Sequence, residues 1–217
     1  MKLHLGCGEI YLKSYTNIDY PPTKHTVQTR SIADEYHDIT KLRYPKESIE
    51  EVRLHHVFEH FNRSVYLALL ASWWSWLKVG GILRIEVPDF DRTAKVVLSR
   101  FSSDKANRKA LRHIFGAQEA PWAVHYEGWS VKRLSSLLSE FGFNVDKVSK
   151  NSYKGTYNVE VFASKKKISM GEKDFESAAK RFLSDYLVDD SSTEKRIRML
   201  DTWIKTYRTQ IKKSFAR

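Results

Sequence analysis

One cysteine, five prolines and nine glycines among 217 residues leave little room for several kinds of protein. A lone thiol, Cys7, closes no internal disulfide, and between Gly6 and Gly8 its small size matters more than its sulfur. No apolar run approaches the roughly 18–20 residues that a membrane span requires. Met1-Lys2 leads straight into a strand-like segment rather than the apolar core of a signal peptide, so a soluble, cytoplasmic protein is expected. Internal repeats and low-complexity segments are also lacking. What is present, 41% hydrophobic and 29% charged residues, suits one packed domain with a modest appendage, and six tryptophans point to aromatic-lined surfaces or pockets. The formal charge of +11 attracts phosphates, nucleic acids or anionic headgroups without identifying any of them. From Lys165 onward 14 Lys and Arg stand against 8 Asp and Glu, the most concentrated basic region.

Patterning predicts alternating strands and helices. Leu3–Leu5 and Tyr15–Asp19 read as short strands, and Glu51–His55 as a strand leading into a helix from Val57 through Leu70 to Trp76. Lys78-Val79-Gly80-Gly81 reads as the stop of that helix, and Ile82–Val87 as a strand buried on both faces. Arg92–Phe115 forms one or two helices. Ser130 caps another, with Gly142 beyond its end, and Phe143–Val148 and Tyr157–Ala163 form an antiparallel pair. The expected fold is α/β: a doubly wound, mostly parallel Rossmann-like sheet over residues 1–164, ending in that antiparallel pair. Residues 165–217 form a basic helical extension with two apolar stripes. One is Phe175, Ala178, Ala179, Phe182, Leu183 and Tyr186; the other is Ile197, Leu200, Ile204, Tyr207 and Ile211. These stripes pack either on the domain or on a second subunit, which leaves a homo-oligomer through the C-terminal helices open.

A strand running into Gly6-Cys7-Gly8 offers backbone N–H groups and close approach to a nucleotide-like ligand. The dinucleotide fingerprint needs a third glycine where Tyr11 stands, which disfavours dehydrogenase chemistry. Asp19, ending the second strand, is placed to accept hydrogen bonds from ribose hydroxyls. No HxxxH or HxH spacing is joined by suitably placed carboxylates, so no metal site is expected.

In order, LHLGCGEIYLKSYTNID, HDIT, LHHVFEHF, LKVGGILRIEVPDF and HYEGWSVKRLSSLLSEFGF resemble the class I S-adenosylmethionine-dependent methyltransferase superfamily. They resemble in particular the compact predicted methyltransferases associated with cell-surface glycan biosynthesis. The resemblance covers about residues 2–164. It implies that Gly6, Cys7 and Gly8 wrap the methionine part of the cofactor, that Asp19 holds the ribose, and that Asp38 and Ile39 border the adenine. His56 would face the sulfonium side. The short interval between Gly8 and Asp19 leaves little room for the superfamily's first helix.

Such a cofactor arrives activated, so the protein must align the acceptor, exclude water and, for a hydroxyl, remove a proton. His56 and Glu59 after the strand Glu51–His55, Asp89 after the strand Ile82–Val87 and His125 before Ser130 are the candidates, at the C-terminal edge of the sheet. His125 is the first choice of base, because Trp122, Tyr126 and Trp129 beside it can stack on a sugar ring. The leading expectation is O-methylation of a saccharide or small hydroxyl acceptor. Methylation of RNA or another polyanion, and a non-catalytic methyltransferase-like partner subunit, are the alternatives.

Overall fold

The computed structural model describes residues 1–24, 30, 32–188 and 192–215; residues 189–191 and 216–217 of the basic extension lie outside the described residues. Seven strands form one sheet: β1 (Lys2–Leu5), β2 (Thr16–Asp19), β3 (Glu35–Tyr36), β4 (Ile49–His55), β5 (Leu77–Pro88), β6 (Phe143–Tyr153) and β7 (Thr156–Lys165). Their order is β3-β2-β1-β4-β5-β7-β6, parallel except where β7 runs against β5 and β6. The chain leaves β1 towards β2 on one side and later returns to pair β4 on the other, so the ends of β1 and β4 flank the switch point of the sheet. The expected Rossmann-like architecture is therefore present, including the antiparallel pair.

Among the described residues six α-helices complete it: α1 (Arg63–Trp76), α2 (Phe90–Leu98), α3 (Asp104–Phe115), α4 (Val131–Glu140), α5 (Glu172–Ser184) and α6 (Thr193–Phe215). No helix separates β1 from β2, in keeping with the short interval after Gly8. The helix expected from Val57 begins later. His56 takes a left-handed φ of 55°, Phe58–His60 form a single 3₁₀ turn, and Asn62 starts α1 by accepting a hydrogen bond from Val65 N at 3.2 Å. Nor do the glycines stop α1. Leu77 already belongs to β5; Ile49 pairs with Leu77 and Glu51 with Ile82, so Lys78 to Gly81 bulge out of the ladder. Ser130 does cap α4, accepting from Arg133 N at 3.3 Å.

The sheet is two-faced. Leu3, Leu5, Val52, Leu54, Leu83 and Ile85 are buried in the main core, whereas the residues between them are polar. Ile82–Val87 is thus not apolar on both faces: Arg84 pairs with Glu160 across the ladder at 2.5 Å, and Tyr15 donates to Glu51 at 2.7 Å. Cross-strand ion pairs and hydrogen bonds satisfy that face in place of apolar packing.

Helix α1 is buried almost all round, as a helix with no polar face must be. It lies against β5 and is flanked by α5 and α6. Phe175 meets Trp74 at 5.3 Å between ring centroids, and Ile204, Tyr207 and Ile211 join the same core. Both stripes of the extension are therefore spent largely within the chain, although Ile197 is exposed. Trp73, Trp74, Trp76 and Trp129 belong to this core rather than to a surface or pocket. Lys165, first of a basic triplet, is buried too: its ammonium donates to Leu77 O at 2.7 Å and lies 4.1 Å from the centre of the Trp74 ring. No helix among the described residues is long and apolar enough to cross a membrane.

Candidate functional site

Where β1 ends, the backbone turns left-handed twice, at Gly6 (φ 67°) and Gly8 (φ 55°). Ile18 O accepts from both Gly6 N (2.8 Å) and Cys7 N (3.1 Å), which bends the turn back over β2. A Cβ on Gly6 would stand 2.4 Å from Val57 Cγ2, so that position admits only glycine. At Gly8 a Cβ would meet nothing within 4 Å, because this residue faces open space. Cys7 between them is buried, and burial together with the Asp19 carboxylate pushes its thiol up to about 12. It is no nucleophile at neutral pH.

Asp19 is almost fully buried at the end of β2, where one carboxylate oxygen accepts from Gly8 N at 2.8 Å and the other from Tyr20 N at 2.7 Å. The same residue that can meet a ribose thus also sets the glycine turn. Asp38 caps the 3₁₀ turn at Ile39–Lys41, accepting from Thr40 N (3.0 Å) and Thr40 Oγ1 (2.7 Å). Burial works to raise its pKa, but those hydrogen bonds and Lys41 outweigh it and hold the carboxyl low.

Gly6, Gly8, Asp19, Asp38, Ile39 and His56 line a single cleft of about 680 Å³ at the switch point. The volume falls within the range of small-molecule sites, about 300–1,000 Å³. Cys7 adds its backbone to the turn but not its side chain to the lining. His60, Trp122 and Tyr126 line the cleft too. Trp129, expected beside them, instead packs against Phe58 and Tyr66 at 5.2 Å from each ring.

Behind the cleft lies a histidine–carboxylate cluster. His56 Nδ1 is 3.2 Å from Glu59 Oε1, and its Nε2 lies 3.7 Å from Glu86 Oε1, too far for a hydrogen bond. Burial lowers the His56 pKa, yet the two carboxylates outweigh that and bring it above the ordinary imidazole value. Glu59 is completely buried; burial pushes it up, but His56, His60 and His125 prevail and it stays ionised. His125 reaches the cluster from its loop, with Nε2 4.0 Å from Glu59 Oε1 and Nδ1 on His113 O at 3.1 Å. Burial dominates there and lowers its pKa. His125 does not line the large cleft; it borders a small recess next to Phe90 and His113.

Asp89 is engaged elsewhere. It caps α2 and pairs with Arg92 Nε at 2.5 Å, and it lines neither the cleft nor the recess. Of the three residues expected to serve catalysis, His56 alone lines the cleft, while His125 and Asp89 do not. Against the expectation that no HxxxH spacing is joined by a suitably placed carboxylate, His56 and His60 stand four residues apart with Glu59 between them and within reach of both the His56 pair and the His60 cluster. The fold then adds His125, which no local spacing could reveal.

Among solved structures, the fold matches a chain of the complex containing the Haloferax volcanii Trm112 methyltransferase activator. The TM-score is 0.54 at 13% identity, covering 78% of this chain and 83% of that one. A S-adenosylmethionine-dependent methyltransferase from Clostridium acetobutylicum matches with a TM-score of 0.50 at 10% identity, covering 76% of this chain and 83% of that one. No family model and no curated protein sequence matches the chain. At such identities the likeness is one of fold: this chain has the Rossmann-like sheet on which S-adenosylmethionine-dependent methyltransferases are built.

Proposed function

We propose that the chain is a S-adenosylmethionine-dependent methyltransferase acting on the hydroxyl of a saccharide or similar small acceptor in the cytoplasm. The observation that carries this reading is the convergence of Gly6, Gly8, Asp19, Asp38, Ile39 and His56 on one cleft at the switch point. Open space over Gly8 leaves room for the methionine part of the cofactor, and Asp19 offers a carboxylate to the ribose. Asp38 and Ile39 would border the adenine. The backbone of Cys7 belongs to the same turn. Bound there, the cofactor supplies an electrophilic methyl group, whose C–S electron pair stays on sulfur as the new O–C bond forms.

The chain's own residues bind, orient and take the proton. His56 donates Nδ1–H to Glu59, which leaves the Nε2 lone pair for the acceptor's hydroxyl proton. The buried Glu59 carboxylate holds the ring and stabilises the imidazolium that results. His125 Nε2 approaches the same Glu59 oxygen at 4.0 Å, and Asp89 caps the start of α2. Trp122 and Tyr126 give an acceptor ring aromatic faces to stack on. Residues 1–164 form the catalytic body in this reading, and the helices after Lys165 support it.

Transfer of a labelled methyl group from S-adenosylmethionine to a panel of saccharides, phenols and RNA tests the assignment. Label should reach a saccharide hydroxyl and fall by about 100-fold or more in His56→Ala, within the range that a positioned base contributes. Label confined to RNA, with binding that falls steeply as salt rises, would replace the saccharide reading.

A further inference from the structure

Five histidines and two glutamates collect where β4, β5, the Phe58–His60 turn, α3 and the loop before α4 meet. Two of the triads they form have metal-ligand spacing: His55, His56 and Glu86, and Glu59, His60 and His125, each with ligand atoms mutually within 4.8 Å. The first is already satisfied, since Glu86 is engaged by His55 at 3.1 Å and by Asn151 at 3.2 Å.

Two observations mark out the second triad. Glu59 is fully buried, and its Oε2 has no hydrogen-bond partner. A buried carboxylate oxygen left without a partner is costly unless a donor or a cation meets it. Both imidazoles, in turn, place Nδ1 on a backbone carbonyl: His60 on Val124 O at 3.2 Å and His125 on His113 O at 3.1 Å. A carbonyl only accepts, so each Nδ1 carries the proton and each Nε2 keeps its lone pair. Metal-binding histidines are oriented by the same second hydrogen bond. A backbone hydrogen bond ties the arrangement together: Tyr126 N donates to Glu59 O at 2.9 Å and pins the His125 loop to the Glu59 turn.

We infer that Glu59, His60 and His125 bind a divalent transition-metal ion, with zinc the best fit to two imidazoles and one carboxylate. Ligand bonds of about 2.0–2.2 Å require the three side chains to close in slightly on the ion. Three protein ligands leave at least one position open, and His60 lines the cleft, so that position gives onto the space an acceptor would fill. An acceptor hydroxyl bound there would be oriented and its pKa lowered before His56 takes its proton. This last role rests on the methyltransferase reading; the ion site does not.

The test is calorimetric titration of zinc into tag-free chain stripped with chelator. One equivalent should bind, His60→Ala and His125→Ala should each weaken it by at least about 100-fold, and His55→Ala should leave it unchanged. Glu59→Gln keeps the shape of the buried side chain and should also lose the ion. Should a variant fold poorly, the unaltered chain gives its own reading, since an ion bound only by the native state raises the melting temperature. No zinc binding by the unaltered chain overturns the inference, as does binding lost in His55→Ala but kept in His125→Ala. S-adenosylhomocysteine titrated into the same samples separates the two readings: cofactor product binding without zinc binding removes only the metal site, and zinc binding without it removes only the methyltransferase.

Discussion

At the scale of single residues, the glycine turn is held by two separate constraints. Gly6 is needed both for its positive φ and for its contact with Val57. Gly6→Ala therefore suffers a clash as well as a left-handed backbone that costs about 1–2 kcal/mol for a residue with a Cβ. In urea unfolding Gly6→Ala should lose more than that, and adding Val57→Ala should recover the clash but not the backbone part. Equal stability of the single and double variants would contradict this account of the turn. Asp19 was legible from sequence because it closes a short strand two positions before a proline; its second task, holding Gly8 N, was not, since that bond joins two strand ends. His125 could be singled out from the sequence by its aromatic neighbours, but its place beside Glu59 could not. Glu59 lies 66 positions away, and burial of that glutamate depends on the whole fold rather than on any local pattern.

Among the elements, α1 explains why the C-terminal helices matter. A helix of such uniform burial cannot face solvent, and α5 and α6 cover it. Phe175, packed between Trp74 and Phe141, should cost about 3–5 kcal/mol when cut to alanine, read from the urea midpoint. Glu176 joins α5 to α6 through Arg208, at 2.8 and 2.6 Å to its two oxygens, but the arginine is largely exposed. Glu176→Gln should therefore cost no more than about 1 kcal/mol. A larger loss at Glu176 than at Phe175 would reverse the order of importance assigned to packing and charge. Tyr186, just past α5, also donates to Glu127 at 3.1 Å, so the extension steadies the loop that carries His125. Most strands and helices were readable from periodicity, though not the two-residue β3. The late start of α1 was not readable: Val57 to Leu70 keeps helical spacing, and the left-handed backbone at His56 and the 3₁₀ turn after it delay the helix.

For the whole molecule, the two-faced sheet sets the response to acid. His4 lies buried among the polar residues of β1; burial is the largest influence on it and lowers its pKa below the ordinary value. Its neutral form is the one the fold favours, so its contribution is present above pH of about 6.5 and lost as the pH falls through its folded value. Glu176, held chiefly by Arg208 at about 2, adds stability above its unfolded value that disappears only in stronger acid. The urea midpoint should thus drop between pH 7 and 5.5, and by less in His4→Gln. A midpoint that rises on acidification would contradict the placement of His4.

The central claim is that the cleft over Gly6, Gly8 and Asp19 is built for S-adenosylmethionine, and calorimetric titration of S-adenosylhomocysteine tests it most directly. The account predicts one site per chain, weakened roughly tenfold to a hundredfold in Asp19→Ala, as loss of a charged hydrogen-bond acceptor implies. No heat of binding, or binding indifferent to Asp19, would contradict it.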